Sequence, residues 1–251
     1  MPRFAVQAIA ALALCVALPL TPAWAQSFDE AQRTEIGEIV RDYLLANPEV
    51  MIEVQEALEA QRTAEEDQRR KDVIASAADD LFRHPADPVL GNPDGDVTIV
   101  EFFDYNCGFC RRAMEDMNAL IETDPNLRFV LKEFPILGED SQAAHMVALA
   151  FNRLMPQSYA AFHEQLMNVD GRANEEAAVR IAVALGADEA ALRREMANPQ
   201  NARSVETTYL LAEALGITGT PSYVIGDQMV PGALGERTLR DTIASVRDAT
   251  N

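Results

Sequence analysis

Residues Asp96–Arg112 read DVTIVEFFDYNCGFCRR. Thr98–Phe103 is short, β-branched and aromatic, which predicts a buried strand. Asp104-Tyr105-Asn106 is turn chemistry. Beyond Cys107, Arg111–Ile121 carries the apolar spacing of an amphipathic helix. A Cys-x-x-Cys pair therefore stands where a strand turns into a helix, which is the layout of a dithiol redox centre.

The spacing has a physical logic. Cys107 falls in the first helical turn, where unpaired backbone N–H groups and the macrodipole favour an anion. That lowers the thiol pKa, and the thiolate is the nucleophile. Cys110 lies on the same helical face one turn deeper, placed to attack a mixed disulfide at Cys107 and release its product. Gly108 and Phe109 between them add no charge, so Cys107 is expected to be activated, but less than in the most oxidising dithiols. Two other readings use the same residues. One is a structural disulfide. The other is half of a zinc site, which needs a second Cys pair or two suitably spaced histidines; His84, His145 and His163 are not so spaced.

The chain opens as a secretory signal peptide, 1–25. Arg3 is the basic region, Phe4–Leu18 the apolar core, and Ala23-Trp24-Ala25 the cleavage site. The apolar run is short for a spanning helix and meets Pro19 and Pro22. Removing it also removes Cys15, leaving Cys107 and Cys110 as the only thiols, a usage that fits an oxidising compartment such as the periplasm. What remains carries 20 basic against 40 acidic residues. That balance argues against nucleic acid or anionic lipid as partner. A hydrophobic content of 48% in 251 residues is enough for a globular core.

Residues 26–83 are a different kind of sequence, rich in Glu, Gln, Ala, Arg and Leu. A first helix is expected over Asp29–Ala46, with Ile36, Ile39, Val40, Tyr43 and Leu44 on one face. Asn47-Pro48 breaks it, and a second helix starts near Pro48. Met51, Val54, Leu58 and Gln61 make a short coiled-coil-like seam. Such thin helices must pack on the main domain or on another copy of themselves; narrow exposed seams favour self-association. Arg83–Asp96, turn-rich, is expected to be the domain boundary.

Downstream, Leu127–Phe134 is expected to be a second strand. Two charges bear on the site, Glu101 in the first strand and Lys132 in the second. Either they are buried together beneath the cysteines, where they would handle the resolving thiol's proton, or they are edge charges in water. A helical block covers about 141–215, interrupted at Pro156, Gly186 and Asn198-Pro199, with Asp188 and Asn201 as caps. His145 and His163 lie in it and are expected to be surface or core residues. Thr220-Pro221 precedes a strand at Tyr223–Ile225, a turn at Gly226-Asp227 and a partner strand at Met229-Val230. Together with a Cys-x-x-Cys it points to a cis peptide whose Thr220 backbone can receive an extended substrate. Glu236–Ala249 is the closing helix.

FFDYNCGFC, the Thr220-Pro221 strand and VPGA together resemble the DsbA-like family of secreted thiol-disulfide oxidoreductases. The resemblance implies an α/β fold: a thioredoxin-like domain over residues 84–251 with a helical insertion. It implies Cys107 as attacking thiol, Cys110 as resolving thiol, a Cys107–Cys110 disulfide when oxidised, and Thr220 with Pro221 as a substrate-binding loop. It matches Glu101 and Lys132 to a buried acid-base pair. RDYLLANPEVMIEVQEALE is similar to the amino-terminal region of ScsC-like and Com1-like members, which in ScsC-like proteins builds a trimer with isomerase activity. Phe109 stands where Tyr is frequent, keeping the ring without its hydroxyl. The expectation is a periplasmic isomerase or reductase of secreted cysteine-containing proteins, with no metal or cofactor and a membrane redox partner to reset the dithiol. The alternatives are a monomeric disulfide donor, a copper(I)-binding dithiol protein, and an oligomeric scaffold with a static disulfide.

Overall fold

The computed structural model describes residues 28–250; the signal-peptide reading and Cys15 lie outside them. The described residues divide into two compact units, 28–59 and 60–250. In the first, α1 (Glu30–Ala46) starts at a capping box, with Asp29 accepting the Gln32 N–H and the Gln32 side chain accepting the Asp29 N–H. No residue of α1 is buried. Ile36, Ile39, Val40 and Tyr43 are exposed, as are Met51, Val54 and Leu58 in the first part of α2 (Glu49–Ser76).

The expected boundary near residue 83 falls too late. Ile74 near the end of α2 and Leu81 in α3 (Ala78–Phe82) are buried in the second unit's core, against Val100, Phe102 and Leu215. The apolar face resumed by Val73, Ile74 and Leu81 belongs to that core. Arg83–Asp96 is also more than a connector, because it holds an edge strand, β1 (Val89–Gly91). Three residues ending in a glycine give no alternating pattern to read. Gly91 closes the strand at φ +73°, and a Cβ there would meet the Leu127 carbonyl oxygen at 2.6 Å.

The sheet has the order β1-β3-β2-β4-β5. β2 (Val97–Phe103) and β3 (Leu127–Glu133) run parallel, joined by α4 (Gly108–Thr123). β4 (Ser222–Ile225) lies antiparallel to β2, and β5 (Gln228–Pro231) antiparallel to β4. β2 is central and covered on both faces, which is why it reads as a nearly unbroken apolar run. One face packs Ile99, Phe103, Phe129 and Leu131 against Met114, Met117 and Leu120 of α4 and Leu239 and Ile243 of α10 (Glu236–Thr250). The other packs Val100, Phe102 and Val130 against Ile74, Leu81 and α9 (Pro199–Leu215).

Between β3 and β4 the helical insertion comprises α5 (Glu139–Leu154), α6 (Tyr159–Met167), α7 (Glu175–Ala184), α8 (Glu189–Met196) and α9. A 3₁₀ turn at Pro156–Ser158 makes the expected interruption. Asp188 caps α8 through the Ala191 N–H. Asn201 is not a cap: Asn198 caps α9, and Asn201 is buried, donating to the Glu195 carbonyl at 2.8 Å. Pro199 at the first helical position moves the cap three residues upstream.

Register separates the two strand charges. Glu101 pairs with Leu131 and Lys132 with Phe102, so the side chains leave opposite faces of the sheet. Both are buried, but Lys132 points away from the cysteines. Its ammonium is held by the Asp87 carboxylate and the Asp80 carbonyl, tying the α3 end and the following loop to the sheet. The expected Glu101–Lys132 pair is therefore corrected to a lone Glu101 on one face and a Lys132–Asp87 ion pair on the other. Burial holds the Asp87 carboxyl up at about 6 against the pull of Lys132.

Lys132→Met should cost about 3 kcal/mol in urea unfolding at neutral pH, because it leaves a buried carboxylate unpaired. Cys107 reactivity on the other face should be unchanged. A loss below about 1 kcal/mol would mean the pair contributes no more than a surface ion pair.

Candidate active site

Cys107 is the N-cap residue of α4, with extended backbone (φ −81°, ψ 114°). Its N–H donates to the Asp104 carbonyl at 3.0 Å, and its own carbonyl accepts the Arg111 N–H at 3.1 Å. Cys107 is 7% exposed and Cys110 1%. Both are free thiols.

Their environments push them apart. The Cys107 thiol is drawn down to about 5, chiefly because the Cys110 S–H donates to it; the Thr220 side chain and the Cys110 and Phe109 N–H groups add to this against the cost of burial. Cys-x-x-Cys nucleophiles span about 3.5 to about 7 from the most to the least oxidising, so Cys107 is activated to an intermediate degree, as expected from its uncharged dipeptide. Burial, the neighbouring Cys107 and Glu101 drive the Cys110 thiol far above its ordinary value. One sulfur is thus ionised at neutral pH and the other holds its proton.

Thr220-Pro221 is cis. The Thr220 carbonyl accepts the Cys107 S–H at 3.2 Å when that thiol is protonated. The Ser222 hydroxyl donates to the Gly219 carbonyl and the Gly232 N–H to the Pro221 carbonyl, which fixes the loop. Residues 216–222 with Met229, Pro231 and Gly232 line a cleft of about 240 Å³ beside it. Gly216, left-handed at φ +71°, ends α9 and turns the chain into this loop. Phe109 is 58% exposed, with the Arg112 guanidinium 4.5 Å above its ring, and so presents an aromatic surface next to the sulfurs.

Glu101 projects from β2 on the α4 face. Burial lifts its carboxyl to about 8, and the Cys107 and Asp116 charges push the same way, while a hydrogen bond from the Tyr223 hydroxyl resists. Tyr223 sits opposite Glu101 in the β2–β4 register. The structure thus brings together Cys107, Cys110, Glu101, Thr220 and Pro221, and excludes Lys132. Tyr223 was missed as a partner of Glu101; its place two residues after Pro221 was the available signal. Glu133, which follows Lys132 in β3, was missed as well.

Residues 98–244 match the DSBA-like thioredoxin domain, and residues 32–65 the copper resistance protein ScsC N-terminal domain. A thioredoxin-like oxidoreductase from Silicibacter pomeroyi DSS-3 is 46% identical, covering 68% of this chain and 97% of its own, with a TM-score of 0.65. ScsC of Proteus mirabilis in a transitional conformation is 27% identical over 89% of this chain and 98% of its own, also at 0.65. Disulfide bond formation protein D of Bacillus subtilis (strain 168) is 25% identical over 169 residues, 62% of this chain and 75% of the relative.

Two substitutions test the electrostatics. Cys110→Ala should raise the Cys107 pKa, since it removes the strongest donor to the thiolate; an unchanged value would assign the acidity to the Thr220 side chain and the helix terminus. Glu101→Gln should stabilise the fold above about pH 4.5. A carboxyl whose folded pKa is raised binds its proton more tightly in the native state, so wild-type stability falls as pH climbs from the unfolded value to about 8. The gain should be absent at acid pH and reach at least about 1 kcal/mol by neutral pH in denaturant titrations; a loss at neutral pH would contradict a raised Glu101.

Proposed function

The chain belongs to the DSBA-like thioredoxin-domain family, whose members exchange thiols and disulfides, and from that premise we propose that it is a periplasmic disulfide isomerase or reductase acting on secreted proteins. The observation that carries this reading is the opposed ionisation of Cys107 and Cys110 next to the Thr220-Pro221 cleft. The Cys107 thiolate attacks one sulfur of a client disulfide; a new S–S bond forms, the client's bond breaks, and the other client sulfur leaves as a thiolate. Cys107 is then neutral, which removes both the hydrogen bond that held the Cys110 proton and the charge that opposed Glu101 ionisation. Glu101 first loses its own proton to solvent and then, as a carboxylate, accepts the Cys110 proton. The Cys110 thiolate attacks Cys107 Sγ, expelling the second client thiolate and leaving a Cys107–Cys110 disulfide. In isomerisation a second client thiol resolves the mixed disulfide instead, and the dithiol is regenerated. An extended client strand lies against the Thr220 backbone.

The exposed apolar faces of α1 and the first part of α2, together with the ScsC N-terminal match, support a homo-oligomer, a trimer by resemblance. Secretion rests on the signal-peptide sequence, and a membrane redox partner would reset the dithiol. A second reading, a disulfide donor, draws on the Cys107 acidity: stabilising the reduced thiolate makes the disulfide a stronger oxidant.

Cys107→Ser should abolish both insulin reduction and reactivation of a scrambled disulfide substrate; retained activity in either would remove Cys107 as nucleophile. Cut after Glu59, where the compact unit begins, the chain should become monomeric in light scattering. It should keep insulin reduction while losing most scrambled-substrate activity. Persistent oligomers would place the self-association surface elsewhere, and a monomeric full chain that only oxidises clients would favour the donor.

A further inference from the structure

The three residues ahead of the nucleophile are each held from outside their own turn. The Asp104 carboxylate accepts the N–H groups of Asn106 at 2.8 Å and Leu137 at 3.0 Å, and the Ser141 hydroxyl at 2.8 Å. The Asn106 amide donates to the Ser141 hydroxyl and the Ala173 carbonyl, both at 2.9 Å, and accepts the Ala173 N–H at 2.8 Å. Tyr105, between them, is fully buried and fastened at both ends. Its N–H donates to His145 Nε2 at 3.4 Å, and its hydroxyl lies 3.0 Å from that of Tyr159. His145 Nδ1 and the Tyr159 hydroxyl, the latter at 2.7 Å, both meet the Glu133 carboxylate. The bonds close a ring: Tyr105, His145, Glu133, Tyr159 and back to Tyr105.

Donor and acceptor roles follow by elimination. Nε2 receives an N–H, so the imidazole proton sits on Nδ1 and is donated to Glu133. Tyr159 also donates to Glu133, whose two oxygens both act as acceptors. The Tyr159 oxygen accepts the Tyr105 O–H, and His163 Nδ1, at 3.3 Å, supplies an N–H to the Tyr105 oxygen. Burial drives the His163 imidazole down to about 3, so it is neutral, and holds both tyrosines well above their usual range, so they keep their protons. Asp104 Oδ1 stands 4.0 Å from His145 Nε2, but it already accepts the Asn106 N–H and the Ser141 hydroxyl. No client, cleft residue or cysteine takes part in the ring.

We propose that Glu133, His145 and Tyr159 are positioning residues for Cys107. Their ring fixes Tyr105, and with it the turn that delivers the sulfur to the mouth of α4. The inference rests on Cys107 being the nucleophile. Its acidity comes from short-range hydrogen bonds, which weaken steeply as distance and angle depart from ideal. A turn free to shift by a fraction of an ångström loses them. A buried polar ring of this kind is not needed for stability alone, because well-packed apolar residues do as well.

Tyr159→Phe and Glu133→Gln test this through the pH dependence of Cys107 alkylation by iodoacetamide, which needs no client. Leu81→Ala, in the core behind the opposite sheet face, is the control for lost stability. Tyr159→Phe should raise the alkylation midpoint by roughly half a unit or more, which lowers the rate at pH 5 about twofold or more. Glu133→Gln, which brings an N–H₂ donor to a site that only accepts, should raise it further. Leu81→Ala should leave the midpoint in place. Near-ultraviolet circular dichroism confirms that each variant is folded; should Glu133→Gln not fold, Tyr159→Phe decides. Folded variants with the wild-type midpoint would overturn the positioning role alone. A wild-type midpoint near that of free cysteine would overturn the functional reading and this inference with it.

Discussion

The hydrogen bond from the Cys110 thiol to the Cys107 sulfur governs the site. It is charge-assisted, and so is stronger than a bond between neutral partners. It acts on both sulfurs at once, favouring the outer thiolate and withholding the inner proton. Its geometry needs Cys107 at the N-cap and Cys110 one turn in, with a helix start that cannot slide. The surrounding fold supplies those conditions: a central strand covered on both faces, a turn clamped by the insertion, and a cis Thr220-Pro221 loop across from the sulfur.

The same bond orders the chemistry. While Cys107 is a thiolate, Cys110 is inert and Glu101 resists ionisation. Joining Cys107 to a client removes the negative charge, so the part of each restraint that came from it lapses while the part due to burial stays. The site needs no separate trigger, because the first step changes the electrostatics that permit the second. A buried acid on an otherwise apolar strand is costly unless its protonation state is used. Glu101 meets that condition, poised near pH 8 beside a sulfur that must lose a proton.

Much of this was legible in the residues. Thr98–Phe103 announced a buried strand and Cys107-Gly108-Phe109-Cys110 a dithiol at a helix start. Thr220-Pro221 before Tyr223–Ile225 announced the loop opposite. Local chemistry decides those features. What escaped was set by pairing and packing. Whether Glu101 and Lys132 share a face depends on strand register: Lys132 opposite Phe102 turns the ammonium to the rear, where Asp87 meets it. Ile74 and Leu81 look like the tail of a free-standing helix, yet the sheet's rear face needs them. His145 and His163 look like ordinary helix residues, and only the docking of α5 and α6 over Tyr105 puts His145 in a closed polar ring and His163 against the Tyr105 hydroxyl. β1 is too short to carry a pattern.

The central claim is that one sulfur of the pair is ionised and the other is not. Thiolate absorbance near 240 nm tests it directly, followed on the reduced protein from about pH 3 to about pH 10, with the Cys107→Ser variant as reference. The account predicts one thiolate appearing with a midpoint near 5 and no second one below about pH 10, with nothing titrating in the variant before alkaline pH. Two thiolates rising together near 8.5, the value of free cysteine, would contradict it.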